Sequence, residues 1–439
     1  MSAIARYLNN LGNRVYGYDA RETKLTQKLE SEGMTITYTQ DLASLEAISQ
    51  EIDMVVYTSA IDREDIFLKH FAEKRIEIKK RSEILSDIVK DKKVIAIAGT
   101  HGKTTISSML SHILSSSSIG CSAFLGGISK TFNSNFYHNP ESEYVVVEAD
   151  EYDKSFLNLN PYYSLISSVD ADHLDIYGSE EELRKGFEEF ANKSKGGDRK
   201  LFINNSVDLE LDESINPITY TIRGGEADYY AWNIRNYNGK HYFDLRTPSK
   251  VIYDLCLNHP GYHNVENMVV AAGMAIELGV EEAELREAVQ SFMGVRRRFD
   301  IRINTKGLIY IDDYAHHPSE LNSIADSVRE LYPGRKTTII FQPHLSSRTR
   351  DFADEFARAL ERFDEVVLLD VYAARETPLD GMNSGDILHK LNKMDKYYSR
   401  DEGLLDLIQA LYPQVLITAG AGDIDRFVED IENLLKEEE

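Results

Sequence analysis

Gly99-Thr100-His101-Gly102-Lys103-Thr104 lies between an apolar run, VIAIA (94–98), and a helical segment, TISSMLSHIL. That placement suits a phosphate. Backbone N–H groups of a glycine-rich loop at a helix N-terminus cradle anionic oxygens, the lysine adds a point charge, and the Thr104 hydroxyl is a ligand type for Mg²⁺. The longer form of this loop asks for glycine at 97, where Ile97 stands, so the strand before and the helix after carry the reading. Gly99 to Thr105 are expected to bind nucleotide phosphate; the bland alternative is an ordinary turn with a solvated Lys103. Downstream, VVVEADEYD puts Glu148 at the end of a strand expected to lie beside VIAIA, the usual place for a carboxylate serving a nucleotide-bound metal. Asp150 and Glu151 follow on the loop, where acids are as often caps or solvated turns. A third strand, in SLISSVDADHLD, delivers Asp170, Asp172, His173 and Asp175 to the same sheet edge. By spacing alone, a packed or hydrogen-bonded histidine is the commoner use of His173 than a metal ligand. PGYHNVEN (260–267), DDYAHHP (312–318) and FQPHLSSRTRD (341–351) each bring His, Asp, Asn or Arg to the start of a helix or the end of a strand, where open α/β sheets bind ligands. Arg348 and Arg350 are placed to clamp a carboxylate or phosphate through paired hydrogen bonds.

The elements that must position these groups recur as short Val- and Ile-rich runs followed by helical patterns, the mark of βαβ units. RVYGYD (14–19) and DMVVYTSAI (53–61) supply a first region; residues 2–10 read as a helix ending near Gly12. That is the second half of a dinucleotide-type unit, and its first strand and glycine-rich loop are expected to lie ahead of Met1. As it stands, the chain is expected to bind a nucleotide at the central loop and a sugar nucleotide poorly. Residues 200–257 change to alternating segments with a hairpin turning at Asn238-Gly239. The helix VENMVVAAGMAIELG ends at Gly279, and Arg296-Arg297-Arg298 marks a junction. Four apolar strands follow, in LIYIDDY, KTTIIFQPH, EVVLLDVY and QVLITAGAGD. The expected fold is α/β in three domains: a Rossmann-like domain over 1–89 without its first strand, a central P-loop ATPase domain over 90–297, and a second Rossmann-like domain over 298–439.

Composition limits the function. Among 439 residues, 49 Lys and Arg face 73 Asp and Glu, for a net charge of −24. No basic block exists to neutralise a nucleic acid or an anionic membrane. Two cysteines, Cys121 and Cys256, cannot build a disulfide framework or a zinc site, which fits a reducing, cytoplasmic compartment. No apolar run approaches the roughly 18 residues of a membrane span, and MSAIARYLNN does not read as a signal peptide.

The order GTHGKTT, EADE, DADHLD, YHNVEN, VRRRF, DDYAHHP, FQPH and RTRD resembles that of the Mur ligases, ATP-dependent enzymes that build the peptide of bacterial cell-wall precursors. Within the family it is most similar to the member that joins L-alanine to UDP-N-acetylmuramate. The resemblance implies ATP and Mg²⁺ as cofactors, with those two molecules as substrates, and a monomer or homodimer. It implies γ-phosphoryl transfer to the sugar carboxylate, then attack by the amino group. It puts Thr104 and Glu148 on one Mg²⁺ and His173 on a second. Lys103, His173, His316 and Arg348 become the catalytic set. Asn264 and Asn267 would meet the adenine or its neighbours, and Arg297 and Asp313 would reach ATP. Tyr314, His316, His344 and Arg348 would form the amino-acid and sugar-carboxylate pocket, with Asp19, Thr58, Ser59 and Arg81 on the UDP side.

Two departures stand out. Leu345 replaces an arginine often found beside the motif histidine. Glu188 stands where many relatives carry a carbamoylated lysine, so a carboxylate is supplied directly or Lys185 substitutes from one turn away. The competing reading within the family is the ligase that recycles a whole tripeptide; SFLNLNP after EADEYD lacks the basic cluster a large anionic peptide would need. From a different class, a P-loop ATPase switch would hydrolyse ATP without any acceptor.

Overall fold

The run Val94–Ala98 is buried throughout and lies inside a ten-stranded sheet. The computed structural model describes residues 1–437 apart from Arg63, 171–173, Asn238, 375–383 and Met394. They pack as two compact units, one of residues 1–234, 243–255 and 266–292, the other of 235–242, 256–265 and 293–439.

In the first unit the strand Lys93–Ala98 pairs in parallel with Tyr144–Glu148 on one side and Tyr163–Ile166 on the other. The strands that lie wholly in this unit run in the order 218–221, 200–204, 163–166, 93–98, 144–148, 122–129, 134–137. A strand buried on both faces needs apolar side chains on both, which is why these central runs are continuous rather than alternating. Their parallel alignment brings every C-terminal end to one edge, so the loops after 98, 148 and 166 converge as the sequence pattern requires. Residues 1–89 add two separate parallel pairs, Tyr16–Tyr18 with Thr35–Thr37 and Met54–Tyr57 with Glu77–Lys80. The helix Ser2–Asn10 lays Tyr7 against Phe124, Phe136 and His138. The helix Tyr262–Glu277 ends ahead of Gly279, whose φ of +99° is the left-handed geometry expected of a helix stop. Gly239 has φ +75°, as a tight hairpin turn requires, while Asn238 lies outside the described residues.

The second unit holds a six-stranded sheet ordered 300–304, 309–313, 415–419, 337–341, 365–368, 396–398, all parallel except the first. The four inner strands are the apolar runs of the sequence. The edge strands Asp300–Asn304 and Lys396–Tyr398 are short and mix polar with apolar residues, so they leave no apolar run to read. No helix among the described residues is long and apolar enough to cross a membrane.

Burial pushes the Cys121 thiol up to about 12, whereas Cys256 is partly exposed, and both are free. A thiol reagent at pH 8 is therefore expected to modify one cysteine in the native chain and two after denaturation.

Candidate active site

The loop after Ala98 is zipped onto the segment after Ile166. Thr100 N–H donates to Ser168 O (3.0 Å) and His101 N–H to Ser168 Oγ (2.9 Å). Thr100 Oγ1 and Ser168 Oγ share a hydrogen bond (2.9 Å), and Asp170 N–H donates to Thr100 Oγ1 (3.1 Å). Ser167 Oγ donates to His101 O (2.5 Å), and His101 Nε2 lies 3.2 Å from Asp170 Oδ2. Gly99 (φ +130°) is required here, because a Cβ would fall 2.1 Å from Ser167 Oγ. The helix Lys103–Ser115 then starts from Gly102 (φ +82°) with no side-chain cap. The amides of Gly102 to Thr105 therefore lack an intrahelical acceptor and present the positive end of the helix. Asn267 packs over this turn, its Oδ1 3.0 Å from where a Gly102 Cβ would be.

Lys103 folds back over the loop. Its Nζ donates to Gly99 O and to Glu151 Oε1, both at 2.7 Å, and Glu151 is fully buried. Burial works against the ammonium charge, but Glu151, Asp150 and Glu148 outweigh it and hold the Lys103 pKa above its ordinary value. The other acids of EADEYD are paired too. Arg81 donates to Asp150 (3.0 Å) and Lys80 to Asp153 (2.8 Å). Glu148 differs: its Oε2 accepts from Gly126 N–H (3.0 Å), and a Cβ on Gly126 would lie 2.3 Å from Oε1. The carboxylate occupies the space that the glycine leaves. Thr104 hydroxyl and Glu148 carboxylate are hard oxygen donors of the kind Mg²⁺ takes alongside phosphate oxygens, and the uncapped helix turn with Lys103 suits the phosphates. The residues present fit both groups.

In the second unit the strand ends carry a row of four rings. Tyr314 and His316 have centroids 5.5 Å apart, His316 and His344 5.8 Å, and His344 and Tyr372 5.9 Å. His316 Nδ1 lies 2.9 Å from Tyr314 O and 3.5 Å from Glu320 Oε2; since a carbonyl only accepts, Nδ1 carries a proton. Arg348 is buried in the short helix Ser346–Asp351, which opens from Leu345 at φ +67°. Arg297 and Arg298 both sit over the Tyr314 ring, at 5.1 Å, and Arg297 also donates to Gly420 O (2.5 Å). Asp313 is buried, its oxygens accepting from Phe299 N–H (2.6 Å) and Ala315 N–H (2.7 Å). Next to it, Asp312 accepts from Thr418 Oγ1 (2.9 Å).

Burial pushes Asp312 up to about 6, against the pull of Arg297 and the Thr418 hydroxyl. The folded chain then keeps a proton that the unfolded chain releases near 4. This contribution to stability is complete below that value and is lost as pH rises through about 6. Asp312→Asn is expected to gain on the wild type between pH 4 and 7, by up to about 3 kcal/mol, read as the difference between their melting temperatures at each pH. A constant difference across that range would contradict the assignment.

Family models match nearly the whole chain: "Mur ligase family, catalytic domain" over residues 1–93, "Mur ligase middle domain" over 97–275 and "Mur ligase, glutamate ligase domain" over 297–422. The chain belongs to the Mur ligase family. A UDP-N-acetylmuramate–L-alanine ligase of Christiangramia forsetii is 43% identical over 441 residues, covering 100% of this chain and 96% of the relative. The solved UDP-N-acetylmuramate-alanine ligase of Thermotoga maritima superposes with a TM-score of 0.83 at 27% identity, covering 100% and 97%. A murein peptide ligase from Psychrobacter arcticus shares the fold at a TM-score of 0.72 and 20% identity, covering 99% and 96%. The architecture is thus the three-domain α/β fold of the Mur ligases, Rossmann-like at both ends with an ATPase-like centre.

Against this Mur ligase frame, the residues expected from sequence fall into groups. Gly99, Gly102, Lys103, Thr104, Thr105 and Glu148 gather around one turn, and Asn267 joins them against Gly102. Thr100 and His101 belong to the same loop, but their amides are committed to Ser168. His173 lies outside the described residues. Tyr314, His316 and His344 come together in the second unit, with Arg348 buried nearby in sequence. Arg297 and Asp313 hold the loops around Tyr314 together rather than projecting from them. Asn264 is buried and donates to Pro260 O (2.5 Å). Asp19, Thr58 and Ser59 follow the strands 16–18 and 54–57 at their C-terminal ends, and Arg81 is taken up by Asp150. Lys185 stands exposed, paired with Glu181 and Glu182, and Glu188 accepts from Glu210 N–H (3.2 Å), so the lysine is engaged on the outer face of its helix. Ser167, Ser168, Gly126 and Tyr372 also belong to these sites without a motif to mark them; only the paired glycines of FLGGIS, in a strand that otherwise reads as continuous, offer a signal.

Proposed function

We propose that this Mur ligase joins L-alanine to the carboxylate of UDP-N-acetylmuramate, forming ADP and phosphate, in the synthesis of peptidoglycan precursors. The sugar carboxylate attacks the γ-phosphorus of ATP and ADP leaves; the amine of L-alanine then attacks the acyl carbon of the resulting acyl phosphate, and phosphate leaves. The observation that carries the reading is the uncapped turn Gly102–Thr105 with Lys103 on it and Glu148 on the adjoining strand, in a chain that matches ligases of this name from end to end.

Bringing a carboxylate to a triphosphate sets anion against anion, so positive potential must be concentrated there. The amides of Gly102 to Thr105 and the Lys103 ammonium supply it, Lys103 exchanging Glu151 for phosphate. Thr104 and Glu148 would hold one Mg²⁺ and His173 a second; when bound, the ions neutralise phosphate charge that otherwise repels the acceptor. Asn267, against Gly102, borders the nucleotide. Arg348 pairs with a substrate carboxylate. His316 serves the incoming amine in the amino-acid pocket, and Tyr314 and His344 flank it.

The test is phosphate release from ATP with and without UDP-N-acetylmuramate and with L-alanine, glycine or L-serine. Release requiring both acceptors supports the ligase, and one methyl group is worth about 1–3 kcal/mol of preference for alanine over glycine. Release indifferent to both acceptors would favour an ATPase switch instead.

A further inference from the structure

The phosphate loop does not hold its own shape. Three of its residues, Gly99 to His101, are laid against Ser167 to Asp170 by contacts that resemble a strand pairing continued past the end of the sheet. Ser167 N–H donates to Ala98 O (3.0 Å), and Thr100 N–H returns the bond to Ser168 O (3.0 Å). Beside Ser167 Oγ, which donates to His101 O (2.5 Å), a second hydroxyl closes this zipper: Ser168 Oγ meets both His101 N–H and Thr100 Oγ1, each at 2.9 Å. No residue of the loop can replace it. Gly99 has no side chain, Thr100 Oγ1 is already shared with Asp170 N–H, and the His101 ring is turned to Asp170.

The consequence is a division of labour among the amides. Those of 100 and 101 are consumed by the brace, and the cradle begins at Gly102. We infer that Ser168 is a positioning residue for the nucleotide: its hydroxyl fixes where the loop ends and the helix turn begins, and so aims the amides of 102–105. This rests on the reading that this turn receives the phosphates of ATP. Ser168 itself touches no reacting atom.

Loss of the hydroxyl removes the Ser168 contact to His101 N–H and to Thr100 Oγ1 while the backbone pairing and the Ser167 hydroxyl remain, so the loop stays in place but the amide of 101 is held less firmly. Calorimetric titration of the full chain with ADP–Mg²⁺, and steady-state ligation with each substrate varied, test the inference. Ser168→Ala is expected to weaken ADP about tenfold and to raise KM for ATP to match, with kcat within threefold and the KM values for UDP-N-acetylmuramate and L-alanine unchanged. Ser168→Thr, which keeps the oxygen, is expected within twofold of wild type. Thr100→Val removes the partner hydroxyl and is expected to weaken ADP as well, its effect combining with that of Ser168→Ala to less than the product. The inference is overturned if Ser168→Ala leaves ADP affinity intact, if all three KM values rise together as a merely structural loss would make them, or if the threonine variant is as weak as the alanine one. ADP–Mg²⁺ affinity that is the same in the wild type and in Lys103→Ala would instead overturn the reading of the loop, and the inference with it.

Discussion

Lys103→Ala is expected to reduce ligation at least a thousandfold and, in addition, to lower the melting temperature. A thousandfold corresponds to about 4 kcal/mol of transition-state stabilisation, the scale for a charge placed against a transferring phosphoryl group. From sequence, a P-loop lysine reads as exposed, so its loss would leave the fold untouched. The structure reverses that expectation. Lys103 Nζ sits 2.7 Å from Glu151 Oε1, and the Glu151 side chain is only 1% exposed. Removing the ammonium takes the counter-charge from a buried carboxylate, and breaking such a pair from one side costs about 3–5 kcal/mol. For a unit of this size that is roughly 10 °C. The double variant Lys103→Ala, Glu151→Gln separates the two effects: stability returns because the carboxylate charge goes with the ammonium, while ligation stays lost. Scanning calorimetry and a ligation assay on both variants decide the matter. A single variant that melts like the wild type would show that the pair adds nothing to the fold, and turnover within tenfold would remove Lys103 from the chemistry.

This reversal illustrates what a sequence carries and what it does not. The loop Gly99–Thr105 was legible because its chemistry is local, a glycine-rich turn between an apolar strand and a helix. Glu148 was legible because parallel strands end at one edge, so an acid after VVV must emerge beside the loop after VIAIA. The partner of Lys103 was not, since Glu151 is 48 residues away and nothing local says which of three neighbouring acids turns inward. The amides of Thr100 and His101 were assigned to phosphate for the same reason: a glycine-rich pattern states that N–H groups are available, not that a serine from the next strand has taken two of them. In the second unit Tyr314, His316 and His344 were found as strand-end residues, whereas Tyr372 joins their row from a strand end that carries no histidine or motif to mark it. The two edge strands are not legible because they are only five and three residues long and mix polar with apolar side chains, too short for a period to stand out.

Gly126→Ala tests the metal assignment from the side opposite to Glu148 itself. The backbone of Gly126 lies outside the left-handed region, so alanine meets no conformational penalty there. The obstacle is steric. Pairing of Phe124 with Val147 sets the register that brings Gly126 beside Glu148, and an added Cβ would fall 2.3 Å from Oε1, 2.4 Å from Oε2 and 2.5 Å from Cδ. Those atoms are the far end of a flexible side chain, so the carboxylate swings away and the strand stays in place. The variant is therefore expected to fold and melt close to the wild type while its half-saturating Mg²⁺ concentration rises at least tenfold and kcat/KM falls about a hundredfold, or about 2.7 kcal/mol. Glu148→Gln should shift the Mg²⁺ dependence in the same direction. Gly307→Ala, where an added Cβ meets nothing within 4 Å, is the control and should change neither. Wild-type Mg²⁺ dependence in Gly126→Ala, alongside a shifted Glu148→Gln, would mean that the carboxylate reaches the ion from another rotamer. Wild-type dependence in both would withdraw Glu148 as a ligand, and the glycine would then serve only the packing of the strand.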